Sequence, residues 1–390
     1  MNSGKTIFSQ IIDYYPKKYF DKLVLQYNGN YRARTFSCWD QFLCLTFAQL
    51  TYRESLRDIE ACLKSNSSKL YHMGIKGHIS RTNLSRANEN RDWRIFEQFA
   101  HHLIKQTINL LNSEEHIYKD LDNALYALDS TTIDLCLALF PWAQHRKNKS
   151  AVKIHTLLDI RTSLPRFINI TSGAVHDINS LDLIEFEPMA IYIMDKAYID
   201  FERLNKLNSH NAFFVTRAKE NLAYRRIYSN KIDKNGNILF DQTIKLTGPL
   251  SSKYYKDKLR RVKYYDKEND RKFTFLTNNH SLPAITIAKL YKERWKIELF
   301  FKWIKQHLRI KSFYGLSENA IKIQIWSAIA MYVITITIKK SLKLQEEIYT
   351  ILQILSVNSF NKVLLKELFK NSIITNSTDD KTKQLFLFDF

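Results

Sequence analysis

Cysteine, glycine and proline are scarce in this chain: four, eight and six among 390 residues. So few glycines and prolines exclude collagen-like, linker-rich and broadly disordered readings. Cys38, Cys44, Cys62 and Cys136 fall at spacings that fit neither a disulfide framework nor a zinc site, which suits a reducing compartment. The N-terminus has no long apolar core ahead of a small-residue cleavage site, so no secretory leader is expected. Long apolar runs are missing as well. The longest, Ile325 to Ile338, falls short of the roughly 20 residues that a bilayer span needs. A buried core helix is expected there, and no membrane partner.

What is abundant is positive charge. Lys and Arg number 59 against 39 Asp and Glu, a net of +20, which points to a polyanionic partner, nucleic acid before lipid. The excess is uneven: +5 over residues 1–120, −2 over 121–210, +9 over 211–282 and +8 over 283–390. A protein that merely coats DNA has no need of an acidic block, whereas an enzyme gathering divalent cations does. With 45% apolar residues the chain can build two or three domains with full cores.

Residues 1–115 read as an all-helical N-terminal domain. Phe42, Leu43, Phe47 and Leu50 recur at helical steps, followed by Leu56, Ile59 and Leu63. Ser80 is placed to cap RTNLSRANENR, and a longer helix is expected from Trp93 to about Leu111. The basic run Arg81, Arg86, Arg91 and Arg94 suggests a DNA-binding domain, although a plain helical bundle is the simpler reading. Beyond residue 120 the period changes, with strands expected at 123–128, 152–160, 166–171, 190–194 and 212–216. Short helices fall at 179–186 and 199–207. The order implies an α/β domain with a mixed sheet over 120–345. Residues 219–272 interrupt it with Tyr- and Lys-rich runs around Asn235-Gly236, a hairpin signal, and predict a β-rich insertion. Within it YYKDKLRRVKYY reads as a nucleic-acid surface. Residues 346–390 are expected to hold C-terminal helices and a tail.

Three acids stand where chemistry would place them. Asp129 follows the apolar run NALYAL and Asp195 follows IYIM. Strand ends of open α/β sheets are where ligands and catalytic groups collect, although each aspartate could equally cap the next element. The third is Glu298. On a helix turning about 100° per residue, Tyr291, Arg294, Glu298 and Lys305 share a stripe about 60° wide. Beside it lies an apolar face of Leu290, Ile297, Phe301, Ile304 and Leu308. Lys292, Glu293 and Lys296 mix freely, as on a solvated face; the stripe does not. Lys153, His155, Lys196 and Arg217 could line a binding groove, although a solvated surface is the simpler reading for each.

The spacing Tyr291-x2-Arg294-x3-Glu298-x6-Lys305 resembles the YREK signature of bacterial DDE transposases of insertion-sequence family four. FSCWDQFLCLTFAQLTYRESLRDI looks like the N-terminal accessory region of one branch, and FFVTRAK, FLTNN and IKSFYGLSENAIKIQIW are similar to family segments. The resemblance covers almost the whole chain. It implies an RNase H-like mixed-sheet core with the β-rich insertion between the second aspartate and the glutamate. It also implies Asp129, Asp195 and Glu298 as catalytic metal ligands, and Tyr291, Arg294 and Lys305 as DNA contacts. The cofactor would be Mg²⁺, with Mn²⁺ as substitute, two ions per site. Such an enzyme would act as a homodimer on double-stranded DNA in the cytoplasm, at the nucleoid, cutting at terminal inverted repeats and joining 3′ ends to target DNA. The family's hairpin intermediate uses an aromatic from the insertion. All six tryptophans lie elsewhere, leaving Tyr224, Tyr228, Tyr254, Tyr255, Tyr264 and Tyr265 as substitutes. Two alternatives stay open: a nuclease of the same fold that never joins strands, and a DNA-binding repressor without catalysis.

Overall fold

A computed structural model describes residues 4–111, 121–136, 138–146, 149–233, 236–308 and 313–369. The expected tail and Asn235 lie outside these residues. The chain divides into two compact units, one of Met1–Thr107 with His307–Phe390 and one of Ile108–Gln306.

The second unit holds a ten-stranded mixed sheet among the described residues. Its strands are β1 (Leu125–Leu135), β2 (Gln144–Arg146), β3 (Lys149–Asp159), β4 (Leu164–Ser172) and β5 (Ile191–Met194). After them come β6 (Phe213–Arg217), β7 (Tyr224–Ser229), β8 (Ile238–Leu246), β9 (Leu259–Asp266) and β10 (Arg271–Thr277). β4, β3 and β1 pair antiparallel, and β1, β5 and β6 pair parallel. That order is the RNase H-like arrangement. The inserted segment does not form a body of its own. β10 pairs antiparallel with β6, and β9, β8 and β7 follow outward, so the insertion prolongs the same sheet and covers an edge that β6 would otherwise expose. Gly236 lies in the long connection from β7 to β8 rather than in a two-residue turn.

Alternation along the strands sorts the two faces. Tyr126 and Leu128 of β1, with Tyr192 and Met194 of β5, enter a core cluster together with Leu204 and Leu207 of the helix Phe201–Ser209. Period-two geometry therefore turns Asp129 and Asp195 to the opposite face.

The single helix expected through Tyr291 and Lys305 is two, Ala284–Lys292 and Trp295–Leu308. Between them the bonds tighten to three-residue steps: Glu293 N to Leu290 O and Arg294 N to Tyr291 O, both 3.1 Å. A stripe computed at a constant 100° therefore does not carry across the break. The apolar face does survive, with Leu290, Ile297, Phe301 and Ile304 all buried; the side chain of Leu308 lies outside the described residues.

In the helical unit Ser80 caps Arg81–Asn90 as expected, its hydroxyl accepting from Asn83 N at 3.1 Å. The helix Glu318–Ser341, assigned above to the α/β domain, packs instead against Cys38–Leu50, Arg81–Asn90 and Ile348–Val357. At 24 residues it is longer than the apolar run suggested, and it is long and apolar enough to cross a membrane. Yet 89% of its apolar window is buried in the protein. Its internal hydroxyls are satisfied locally: Ser327 donates to Ile323 O and Thr335 to Met331 O, each at 2.8 Å. Asn319 Nδ2 donates to Asn88 O and Arg91 O at 2.7 Å, locking its start onto the N-terminal helices.

Candidate active site

Asp129 and Asp195 stand side by side in register. β1 and β5 pair from Leu125–Ile191 to Leu128–Met194, and the next residue on each is the aspartate. Adjacent strands lie roughly 4.8 Å apart, so two carboxylates leave one sheet face at one level. Asp129 is not at the end of its strand, contrary to the sequence reading. β3 continues the pairing through Leu135, while β5 stops at Met194. The parallel ladder therefore ends beside Asp129 although the antiparallel one does not.

The helices bring the other groups over this point. Arg294 Nη1 donates to Asp129 Oδ2 at 2.9 Å, and Nη2 donates to Glu298 Oε1. Tyr291 OH donates to Asp195 Oδ1 at 3.4 Å, with its ring against Phe275 at 4.9 Å. Asp129 Oδ1 accepts from Ser130 N at 2.8 Å. Burial pushes the Asp129 carboxyl up to about 6; Ser130 N–H and Arg294 oppose the shift, and Asp195 and Glu298 add to it. Lys305 is exposed, two turns beyond Glu298 on the same helix.

Tyr291, Arg294 and Glu298 thus gather at the two aspartates even though the helix is broken. Arg294, expected at DNA phosphate, is paired with the acids instead. The donor set is three hard carboxylates, the kind that holds Mg²⁺. Among the described residues no three acidic, His or Cys side chains lie close enough to enclose an ion as they stand. The Arg294 guanidinium stands between Asp129 and Glu298 and neutralises part of their charge. By donor chemistry alone, three carboxylates suit a hard divalent cation.

Beside the site opens a cleft of about 1050 Å³ lined by Arg217, Phe273, Tyr291, Arg294, Trp295 and Leu299. Trp295 is 58% exposed, an unusual setting for so large a ring. Of the insertion tyrosines offered above, Tyr255 is buried in the core and Tyr224 lies under the Arg261 guanidinium at 4.7 Å. Arg260 of the expected nucleic-acid surface is buried in a bidentate pair with Asp241.

The sequence reading missed a polar cluster on the reverse face. Lys153 and His155 are buried rather than solvated. Lys153 Nζ meets Asp177 Oδ1 at 3.0 Å and donates to Val175 O at 2.8 Å, and Ser130 Oγ donates to the same Asp177 oxygen at 2.6 Å. His155 Nε2 lies 3.1 Å from Thr171 Oγ1, and burial holds its pKa down at about 4. The cluster fixes the strand segment that carries Asp129. Its available signal was the alternation of Lys153 and His155 within an apolar strand.

A family model described as a transposase DDE domain matches residues 121–334, more than half of the chain, including both aspartates and all four residues of the Tyr-Arg-Glu-Lys spacing. The chain belongs to the DDE transposase family. Chemistry in this family depends on divalent metal. A domain of unknown function (DUF4372) matches residues 3–76. The y4zB protein of Sinorhizobium fredii (strain NBRC 101917 / NGR234), named as a transposase, is 36% identical over 212 residues, 53% of this chain and 59% of that protein. A Geobacillus stearothermophilus protein, named as a transposase for insertion sequence element IS5377, is 31% identical over 54% of this chain and 55% of its own length. A Synechocystis sp. (strain ATCC 27184 / PCC 6803 / Kazusa) protein, named as a transposase for insertion sequence element IS4SA, is 27% identical over 81% of this chain and 87% of its own. The matched segment thus spans less than two thirds of the first two relatives. The solved piggyBac transposase synaptic complex with hairpin DNA aligns over 97% of this chain and 82% of that one, at 11% identity and a TM-score of 0.42, too loose a likeness to define a fold.

Proposed function

We propose that this chain cuts DNA at the terminal inverted repeats of its own mobile element and joins the freed 3′ ends to target DNA. The observation that supports this best is the meeting of Asp129, Asp195 and Glu298 around Arg294 and Tyr291 on one sheet face. Asp129, Asp195 and Glu298 would hold two Mg²⁺ ions, with Mn²⁺ as substitute. Bound there, the ions supply charge neutralisation at phosphorus and activation of the attacking oxygen.

The chain's own residues do the rest. Arg294 bridges two acids until substrate arrives, then turns its planar fork to a phosphate, a geometry for which guanidinium is well suited. Tyr291 holds Asp195 in line and packs on Phe275, so rotation of its O–H alone would turn the donor from Asp195 to a DNA phosphate. Lys305, exposed two turns on, adds a point charge for the backbone. Two ends must be processed together, so the active form is a homodimer on DNA, at the nucleoid in the cytoplasm.

The deciding experiment incubates the protein with the inverted repeats flanking its coding region, a target plasmid and Mg²⁺. Joined product supports the reading. Nicked ends without joined product would reduce it to a nuclease, and neither product would remove the activity altogether.

A further inference from the structure

The helical unit carries a built cationic groove. A cavity of about 810 Å³ opens between the loop after Tyr27 and the helix Arg81–Asn90, lined by Tyr27, Tyr31, Arg32, Arg34, Asn83 and Arg86. Arg32, Arg34 and Arg86 are exposed, and Tyr31 is 73% exposed with the Arg32 guanidinium over its ring at 5.1 Å. The acid in the lining, Asp92, is already engaged by Arg94, through its backbone N at 2.8 Å and Nη1 at 3.2 Å. No ion pair among the described residues takes up Arg32, Arg34 or Arg86.

The walls are fixed. A Cβ on Gly29 would stand 2.6 Å from Ile95 Cδ1, so the loop backbone lies directly on the helix Arg94–Leu111. Asn30 Oδ1 accepts from Cys38 N at 2.7 Å, and Gln98 Nε2 donates to Tyr27 OH at 2.5 Å. Arg32 sits at φ 55°, in the left-handed region that is uncommon for residues with a bulky side chain. Arg91 clamps the loop's far end through Phe36 O, Ser37 O and Gln41 Oε1. Two cations of the expected recognition run are therefore spent internally, Arg91 on the loop and Arg94 on Asp92.

We propose that this groove is where the helical unit grips the sugar–phosphate backbone of duplex DNA, with Arg32, Arg34 and Arg86 each on a phosphate. Most of its lining lies within the matched domain of unknown function. The inference rests on the reading that the protein acts on DNA. Guanidinium forks match phosphate oxygens, and an open groove with three of them exceeds what one small anion requires. The exposed Tyr31 ring adds a flat surface against the sugars.

The test is fluorescence anisotropy with the full-length protein and a fluorescein-labelled mixed-sequence duplex, from about 50 to about 200 mM salt. Removing three phosphate contacts with R32A/R34A/R86A should reduce the slope of log affinity on log salt by about 2.7 and lower affinity at least tenfold. The control K18A/K22A/K105A removes the same charge from exposed lysines of neighbouring helices and should keep the wild-type slope. R32K/R34K/R86K should restore most of it. A triple-alanine variant that binds like wild type, or a control that loses as much, overturns the groove and leaves the transposase reading standing. A wild-type protein that binds no duplex at any salt overturns that reading, and the groove with it.

Discussion

Arg294 and Asp129 are 165 positions apart in sequence and 2.9 Å apart in space. The same guanidinium holds Glu298, so a single cation bridges the first and third acids of the site. Removing it should be felt in stability before it is felt in chemistry. In EDTA, Arg294→Ala should lower stability by about 1–3 kcal/mol, because two half-buried carboxylates lose their partner. Added Mg²⁺ should return most of the loss. Chemical denaturation with and without Mg²⁺ measures both; a variant as stable as wild type in EDTA would mean that the bridge carries no weight.

Glu298→Ala should reduce Mg²⁺-dependent nicking of terminal-repeat DNA by at least about 1,000-fold, since groups that act as a unit fail together. Gel-shift binding should stay within a few-fold of wild type, because a carboxylate makes no favourable contact with phosphate. Nicking at the wild-type rate would remove Glu298 from the metal site.

The pH dependence follows from Asp129, whose pKa is raised to about 6, chiefly by burial. A carboxyl raised in the folded state favours folding while protonated, and that contribution is lost as pH rises from about 4 through about 6. Protein in EDTA should therefore lose this stability across that window, and Asp129→Asn should flatten the curve. Mg²⁺ competes with the proton, so its effect on melting temperature should be small at pH 5 and large at pH 7. Equal Mg²⁺ stabilisation at both values would contradict the assignment.

The insertion offers a test of fold alone. Arg260 Nε and Nη2 bind both oxygens of Asp241 at 2.9 and 2.8 Å, both side chains almost fully buried, and Nη1 reaches Leu282 O at 2.5 Å. Arg260→Met should destabilise by about 3–5 kcal/mol by stranding Asp241, and adding Asp241→Leu should recover much of it. Urea melts of the single and double variants give the answer. A single variant as damaging as the double would locate the cost in the lost carbonyl bonds instead.

Local pattern was enough to read much of this protein from its residues. Short apolar runs placed the five core strands, and Ser80 marked its helix because a cap works through bonds three residues away. The aspartates after NALYAL and IYIM were visible for the same reason: strand direction and period are local. Tertiary structure decided what depends on partners. Asp129 lies within a strand, not after it, because β3 is longer than β5. Lys153 is buried because the Asp177 carboxylate and the Val175 carbonyl answer it, and His155 because Thr171 on the neighbouring strand does. The helix Glu318–Ser341 joined the N-terminal helices because its apolar residues run all round it and needed partners on every side. Arg294 turned to the acids rather than to solvent because opposite charges buried together outweigh hydration only at contact distance, and contact distance is what a linear sequence does not contain.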